Sequence, residues 1–200
     1  IYKSDLLAKV NKYLKDTTID DNKFTTIIQL LVNDKKIFET SDGLLFDYDL
    51  YTKENELADF IISKLKSNDL TYSQENIEKA YEKTLNAINI ELSDLQKTAV
   101  KSAFQEPLVI ITGGPGTGKT TIVKAILNMY VELHSGNDTV LEGVALLAPT
   151  GRAAKRMSET TNFGASTIHR YLKWNHETGE FGVNEYNQNE HRLIIVDETS

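Results

Sequence analysis

The run Gly113-Gly114-Pro115-Gly116-Thr117-Gly118-Lys119-Thr120 satisfies G-x-x-x-x-G-K-[ST] at every fixed position, and the chemistry of that spacing is phosphate binding. Its glycines let backbone N–H groups curl around a β-phosphate. Lys119 reaches the β and γ oxygens, and the Thr120 hydroxyl ligates Mg²⁺ where a helix begins. Gly114, Gly116, Thr117, Gly118 and Thr121 belong to the same nucleotide-binding set. A chance match in a chain of this length is roughly a one-in-a-hundred event, so the run reads as an ATP loop rather than a glycine-rich turn. A second acidic feature agrees with it. Leu193-Ile194-Ile195-Val196 ends in Asp197-Glu198, where Asp197 would hold Mg²⁺ through water and Glu198 would orient and deprotonate an attacking water. Adjacent acids at a strand end are ordinary loop residues by themselves, and the loop upstream is what gives them a role.

These groups need a sheet to position them. Leu108-Val109-Ile110-Ile111-Thr112 is β-branched and apolar, as a strand buried on both faces should be, and it feeds directly into the loop. Ile122, Ile126, Met129 and Leu133 give the following helix a buried face. Val144 to Ala148 reads as another strand, broken by Pro149, with Thr150 placed to cap a helix opening at Gly151. Helix, strand, loop, helix, strand is the alternation of a parallel α/β sheet, and it occupies residues 91–200.

Residues 1–70 read differently. Leu6, Leu7, Val10 and Leu14 share a helical face, as do Phe24, Ile27, Ile28 and Leu31 behind the capping candidates Asp20, Asp21 and Asn22. Residues 37–40 and 44–48 flank Ser41-Asp42-Gly43, a hairpin turn signal. Leu57, Phe60, Ile61 and Leu65 define a third helix, and Lys66 to Tyr72 a linker. Helix, helix, hairpin resembles a winged-helix arrangement, suited to DNA binding or to docking against another domain. Ile77, Ala80, Tyr81, Leu85 and Ile88 make a bridging helix within residues 71–90.

Composition bounds the rest. Two hundred residues, 40% apolar and 26% charged, are globular, and a net charge of −7 provides no global field that would draw the chain onto a polyanion. Residues 1–90 and 91–200 carry −4 and −3, and all four arginines (Arg152, Arg156, Arg170, Arg192) lie in the last third. No apolar run approaches the ~20 residues of a membrane span, and cysteine is absent, which fits a soluble, cytoplasmic protein. A chain that opens on Ile1 and stops at Ser200, just past an apolar run, is expected to be a piece of something longer.

Five stretches in order resemble the motifs of RecD-like helicases of superfamily 1. They are Ser93 to Val100, the phosphate loop, Ala148 to Met157, Ser166 to Arg170 and Val196 to Ser200. The resemblance covers residues 93–200, and the N-terminal helices are similar to the domain that precedes the motor in the longer bacterial members. It implies a RecA-like P-loop motor domain, ATP and Mg²⁺, 5′→3′ movement on single-stranded DNA and action at duplex junctions. It also implies that Gln96 reads the adenine edge, although Ser93-x-x-Gln96 is equally a capping box. Thr150, Arg152 and Lys155 become contacts to the DNA backbone, with a solvated helix start as the plainer reading. Thr167 and His169 match a further DNA-contacting motif. A hairpin within residues 171–190, with its tip at Glu177-Thr178-Gly179, corresponds to the pin that splits the duplex, or else is a surface hairpin holding Trp174 and Phe181 as a cross-strand pair. The resemblance places an arginine for the transferring phosphoryl group on a second motor domain, so this stretch by itself is expected to bind nucleotide weakly and not to unwind. A P-loop ATPase acting as a switch or scaffold, with unidentified protein partners, is the alternative.

Overall fold

The computed structural model describes residues 1–14, 17–66, 72–88, 91–135 and 139–197. They form two compact units, Ile1–Ser67 and Asn68–Ser200.

The first unit contains α1 (Lys3–Tyr13), α2 (Asp21–Asn33), β1 (Ile37–Glu39), β2 (Leu45–Asp47) and α3 (Tyr48–Lys66). Of the three capping candidates it is Asp20 that closes α2, its carboxylate accepting the Lys23 N–H at 2.8 Å. Asn11 clasps the α1–α2 connection, accepting from the Ile19 N–H at 2.7 Å and donating to the Ile19 carbonyl at 3.0 Å. Phe24, Ile28 and Leu45 form the core, with Leu6, Leu7 and Val10 against them. The hairpin is antiparallel with Phe38 opposite Phe46, and Gly43 supplies the positive φ of +81° that its turn needs. Phe38 stacks on Tyr51 of α3, ring centroids 3.9 Å apart. The third helix forms where its spacing placed it, yet Leu57, Phe60 and Leu65 remain exposed. Helical periodicity set the helix but supplied no partner for its face.

The second unit begins with α4 (Gln74–Ile88), α5 (Asp94–Gln105) and α6 (Lys119–Leu133). A 3-10 turn at Val140–Gly143 leads to β3 (Val144–Ala148), followed by α7 (Gly151–Thr161), β4 (Ala165–Thr167), α8 (Ile168–Tyr171), β5 (Trp174–Asn175), β6 (Glu180–Phe181) and β7 (Leu193–Val196). The sheet is parallel in the order β4-β3-β7, so the chain leaves β3, crosses through α7 to one side, then returns past it to the other. This is the α/β class that the alternation of elements predicts. Ala148 lies opposite Thr167, and Leu147 opposite Val196, so the three strands end at one edge.

Helix α6 is buried on two faces. Ile122, Ile126, Met129 and Tyr130 pack with Ile77, Tyr81, Val100 and Phe104 of α4 and α5, while Leu127 packs with Leu146 of β3 and Met157 of α7. Fully burying a side chain such as Leu127 contributes about 1.5–3 kcal/mol.

One expected strand does not form. Residues 108–112 enter no ladder, and Ile110 is 80% exposed. A strand exists only as one side of a hydrogen-bonded pair, and no described residue pairs with this run, whatever its β-branched composition favours.

Candidate functional site

The phosphate loop is shaped by its own backbone. Gly116 and Gly118 sit at φ +77° and +85°, a region that side chains disfavour. At Gly118 a Cβ would also fall 2.6 Å from Gln96 Nε2, whereas at Gly116 it would meet nothing within 4 Å. Thr117 Oγ1 donates to the Gly114 carbonyl at 2.9 Å. Lys119 Nζ turns back onto the loop, donating to the carbonyls of Gly113 at 2.6 Å and Gly114 at 2.9 Å. Helix α6 starts at Lys119 behind Gly118, which has no side chain to cap it, so the first-turn N–H groups lack a side-chain acceptor. A ring of open donors at the positive end of a helix is an anion site.

Gln96 serves the cap and the loop together. Its Oε1 accepts the Ser93 N–H at 2.9 Å and its own N–H donates to Ser93 Oγ at 3.4 Å, completing the capping box of α5. Its Nε2 donates to the Thr117 carbonyl at 3.0 Å. An amide has two donor and two acceptor positions, so one of each is left for a ligand.

A cavity of about 470 Å³ opens between the loop and α7. Gly116, Thr117, Gly118, Lys119 and Thr120 line one wall, with Asp197 at the end of β7. The Asp197 N–H donates to the Leu147 carbonyl at 2.9 Å, which fixes its backbone to β3. Thr120 and Asp197 thus present a hydroxyl and a carboxylate to one space, hard oxygen donors of the type Mg²⁺ takes alongside phosphate and water. The described residues contain no cluster of three or more His, Cys, Asp or Glu that could hold a metal ion. Gln96, Gly114 and Thr121 stand outside the cavity lining, and Glu198 lies outside the described residues.

The residues expected at DNA gather at the same edge of the sheet. Thr150 caps α7, its hydroxyl accepting the Ala153 N–H at 3.2 Å, and Thr167 caps α8 by accepting the Arg170 N–H at 3.2 Å. A capping hydroxyl uses a lone pair, so its proton remains available to a phosphate oxygen. Arg152 is exposed, and Lys155 pairs with Glu159 across one helical turn at 3.9 Å. His169 packs edge-on to Trp174 with centroids 6.1 Å apart. Trp174 lies opposite Phe181 in the β5–β6 hairpin, ring centroids 4.7 Å apart, and Gly179 at φ +69° forms the tip.

Sequence reasoning missed the other wall of the cavity, made by Ala153, Arg156, Met157 and Thr160 of α7. Their spacing of three, four and seven marks one helical face, a signal present in the sequence but meaningful only once the loop is known to lie opposite. Thr167, His169, Arg170, Trp174 and His176 line a second cavity of about 430 Å³, which brings the Ser166–Arg170 stretch and the first strand of the hairpin to one space. The groups whose pKa moves are elsewhere. Burial raises Tyr72, Tyr81 and Tyr130, all in the α4–α6 core, with Arg192 opposing the shift at Tyr72 and Tyr130.

A phosphate loop opening a helix beside a parallel sheet, with an acid at the end of a neighbouring strand, defines the class of P-loop α/β domains. A family model described as an AAA domain matches residues 96–200, and the chain belongs to that family as a RecD-like member of helicase superfamily 1. It is 33% identical over 180 residues to the RecBCD enzyme subunit RecD of Haemophilus influenzae, covering 79% of this chain and 27% of that protein. It is 40% identical over 109 residues to the ATP-dependent RecD2 DNA helicase of Deinococcus radiodurans, covering 54% of this chain and 14% of that one. Against the RecBCD enzyme subunit RecD of Mycolicibacterium smegmatis the identity is 36% over 122 residues, 52% of this chain and 22% of the relative. The chain therefore spans about a quarter or less of the length of these relatives. No helix among the described residues is long and apolar enough to cross a membrane.

Proposed function

We propose that this chain is part of an ATP-dependent DNA helicase motor that moves 5′→3′ on single-stranded DNA and acts at duplex junctions. The observation that carries the reading is the shared strand edge, which brings the ends of β3, β4 and β7, and so Thr150, Thr167 and Asp197, to one side of the sheet. Nucleotide and DNA contacts built on one edge respond to the same movement.

In this reading the loop N–H groups take the β-phosphate, and Lys119 exchanges the carbonyls of Gly113 and Gly114 for phosphate oxygens. Thr120 and Asp197 hold Mg²⁺, which when bound offsets charge on the phosphates. Gln96 turns its remaining donor and acceptor to the adenine edge without leaving Ser93 or Thr117. Glu198 orients and deprotonates the attacking water. Thr150, Arg152, Lys155, Thr167 and His169 meet the DNA strand, and the hairpin within residues 171–190 serves as the pin. The domain division is part of the proposal: a winged-helix-like domain over 1–70, a bridging helix over 71–90 and a motor domain over 91–200. What supports it is the separation into two compact units, with α4 contributing Ile77, Ala80 and Tyr81 to the core of the second. Location in the cytoplasm is proposed alongside, on the family's nucleic-acid substrate.

The test is ATP turnover by the protein with and without single-stranded DNA, for the wild type and for Lys119→Ala. DNA should stimulate turnover many-fold and Lys119→Ala should abolish it. Turnover indifferent to DNA would make the protein a switch, and turnover that survives Lys119→Ala would remove the site itself. Unwinding of a duplex with a 5′ tail but not a 3′ tail checks the direction.

A further inference from the structure

Among the described residues two cations line the nucleotide cavity, Lys119 from the loop and Arg156 from α7. Only Lys119 has a role in the loop chemistry. Arg156 sits on the helical face that meets the loop across the cavity, together with Ala153, Met157 and Thr160. Met157 anchors that face by burying itself against Leu127 and Leu146, so the position of Arg156 along the wall is set by packing. Among the described residues the guanidinium takes no hydrogen bond or ion pair, whereas its neighbour Lys155 is paired with Glu159. Thr160 cannot replace it as a donor, because its hydroxyl proton is committed to the Arg156 carbonyl at 2.8 Å. Among the described residues Asp197 is the one acid on the lining, and a triphosphate entering here brings more negative charge than Lys119 alone balances.

We propose that Arg156 binds the terminal phosphate of ATP from the α7 side and so makes this domain distinguish ATP from ADP. The inference rests on the reading of the loop as a nucleotide site. The loop N–H groups and Lys119 grip the β-phosphate from one wall, and the group that projects beyond it meets the other wall, where a planar and permanently charged fork binds two phosphate oxygens at once. Helix α7 carries Thr150 and Arg152 at its start and Arg156 a turn later. One rigid element therefore touches the γ-phosphate and the proposed DNA contacts, and loss of that phosphate releases the hold on α7.

The experiment is equilibrium binding of a fluorescent ADP to the intact protein, displaced either by ADP or by the imido analogue of ATP, with Mg²⁺ present. Arg156→Gln should weaken the ATP analogue roughly 10- to 100-fold and leave ADP within about twofold, because one charge-assisted contact is lost from the triphosphate alone. Arg156→Lys keeps a charge but not the fork and should fall between. Equal weakening of both nucleotides, or no weakening of either, overturns the role of Arg156. Lys119→Ala separates the two readings: if it leaves binding of both nucleotides unchanged, the loop is not the nucleotide site, and the fault lies there rather than with Arg156. Arg156 is exposed, so both variants should fold, which the unchanged near-ultraviolet spectrum of Trp174 verifies.

Discussion

Replacing Gly118 by alanine separates two costs that the loop combines at one residue. The first is conformational. At φ +85° an L side chain is strained, by roughly 1–2 kcal/mol. The second is contact, because the added methyl would stand 2.6 Å from Gln96 Nε2. That atom is the far end of a flexible side chain and it can swing away, but only by giving up its bond to the Thr117 carbonyl, worth about 0.5–1.5 kcal/mol. Gly118→Ala should therefore destabilise the second unit by about 1.5–3.5 kcal/mol. Gly116→Ala, at φ +77° with nothing within 4 Å of the added carbon, should cost the conformational part alone. The decisive step is a double-mutant cycle with Gln96→Ala. In that background Gly118→Ala should lose its contact cost while Gly116→Ala keeps its full effect, and the capping contribution of Gln96 cancels between the legs. Urea unfolding followed by Trp174, the single tryptophan of the chain, reads the second unit directly. An equal cost of Gly118→Ala with and without Gln96 would refute the contact between the amide and the loop.

Two further outcomes follow from the α4–α6 core. Thr84 Oγ1 is buried with no hydrogen-bond partner among the described residues, so Thr84→Val, which keeps the shape and removes the stranded hydroxyl, should stabilise by about 1 kcal/mol in urea unfolding; a loss of stability would mean the hydroxyl is satisfied. Burial raises the pKa of Tyr72, Tyr81 and Tyr130, so the folded state holds these protons more tightly than the unfolded chain. The resulting stability is complete below the unfolded tyrosine range near pH 10 and is lost as pH rises through the higher folded values. Absorbance at 295 nm should show Tyr72, Tyr81 and Tyr130 titrating at higher pH in the folded protein than in urea.

What the sequence revealed and what it hid divide along the range of the forces involved. The phosphate loop was legible because its demands are local: positive φ at Gly116 and Gly118 and a helix opening at Lys119. Thr150 and the Ser93–Gln96 box were legible for the same reason. The composition of 108–112 favours a strand, but pairing is a property of two segments and composition describes one. The face of α3 was visible as periodicity while its exposure was not, since nothing in a helical pattern says what lies across from it. Arg156 was hidden by the same logic, and became visible only when α7 was seen to face the loop. Gln96 caps α5 as its spacing predicts, while its second bond, to the Thr117 carbonyl, spans two elements and so leaves no mark in the local pattern.

The two buried faces of α6 divide the labour of the cavity walls. A helix gripped by α4 and α5 on one side and by β3 and α7 on the other can neither roll nor slide without opening close-packed contacts in both clusters. Helix α7 buries only Ala154, Met157 and Thr161, so it rests on its neighbours along a single stripe. The loop at the head of α6 is therefore the cavity wall clamped from both sides, and α7 is the wall seated along one stripe.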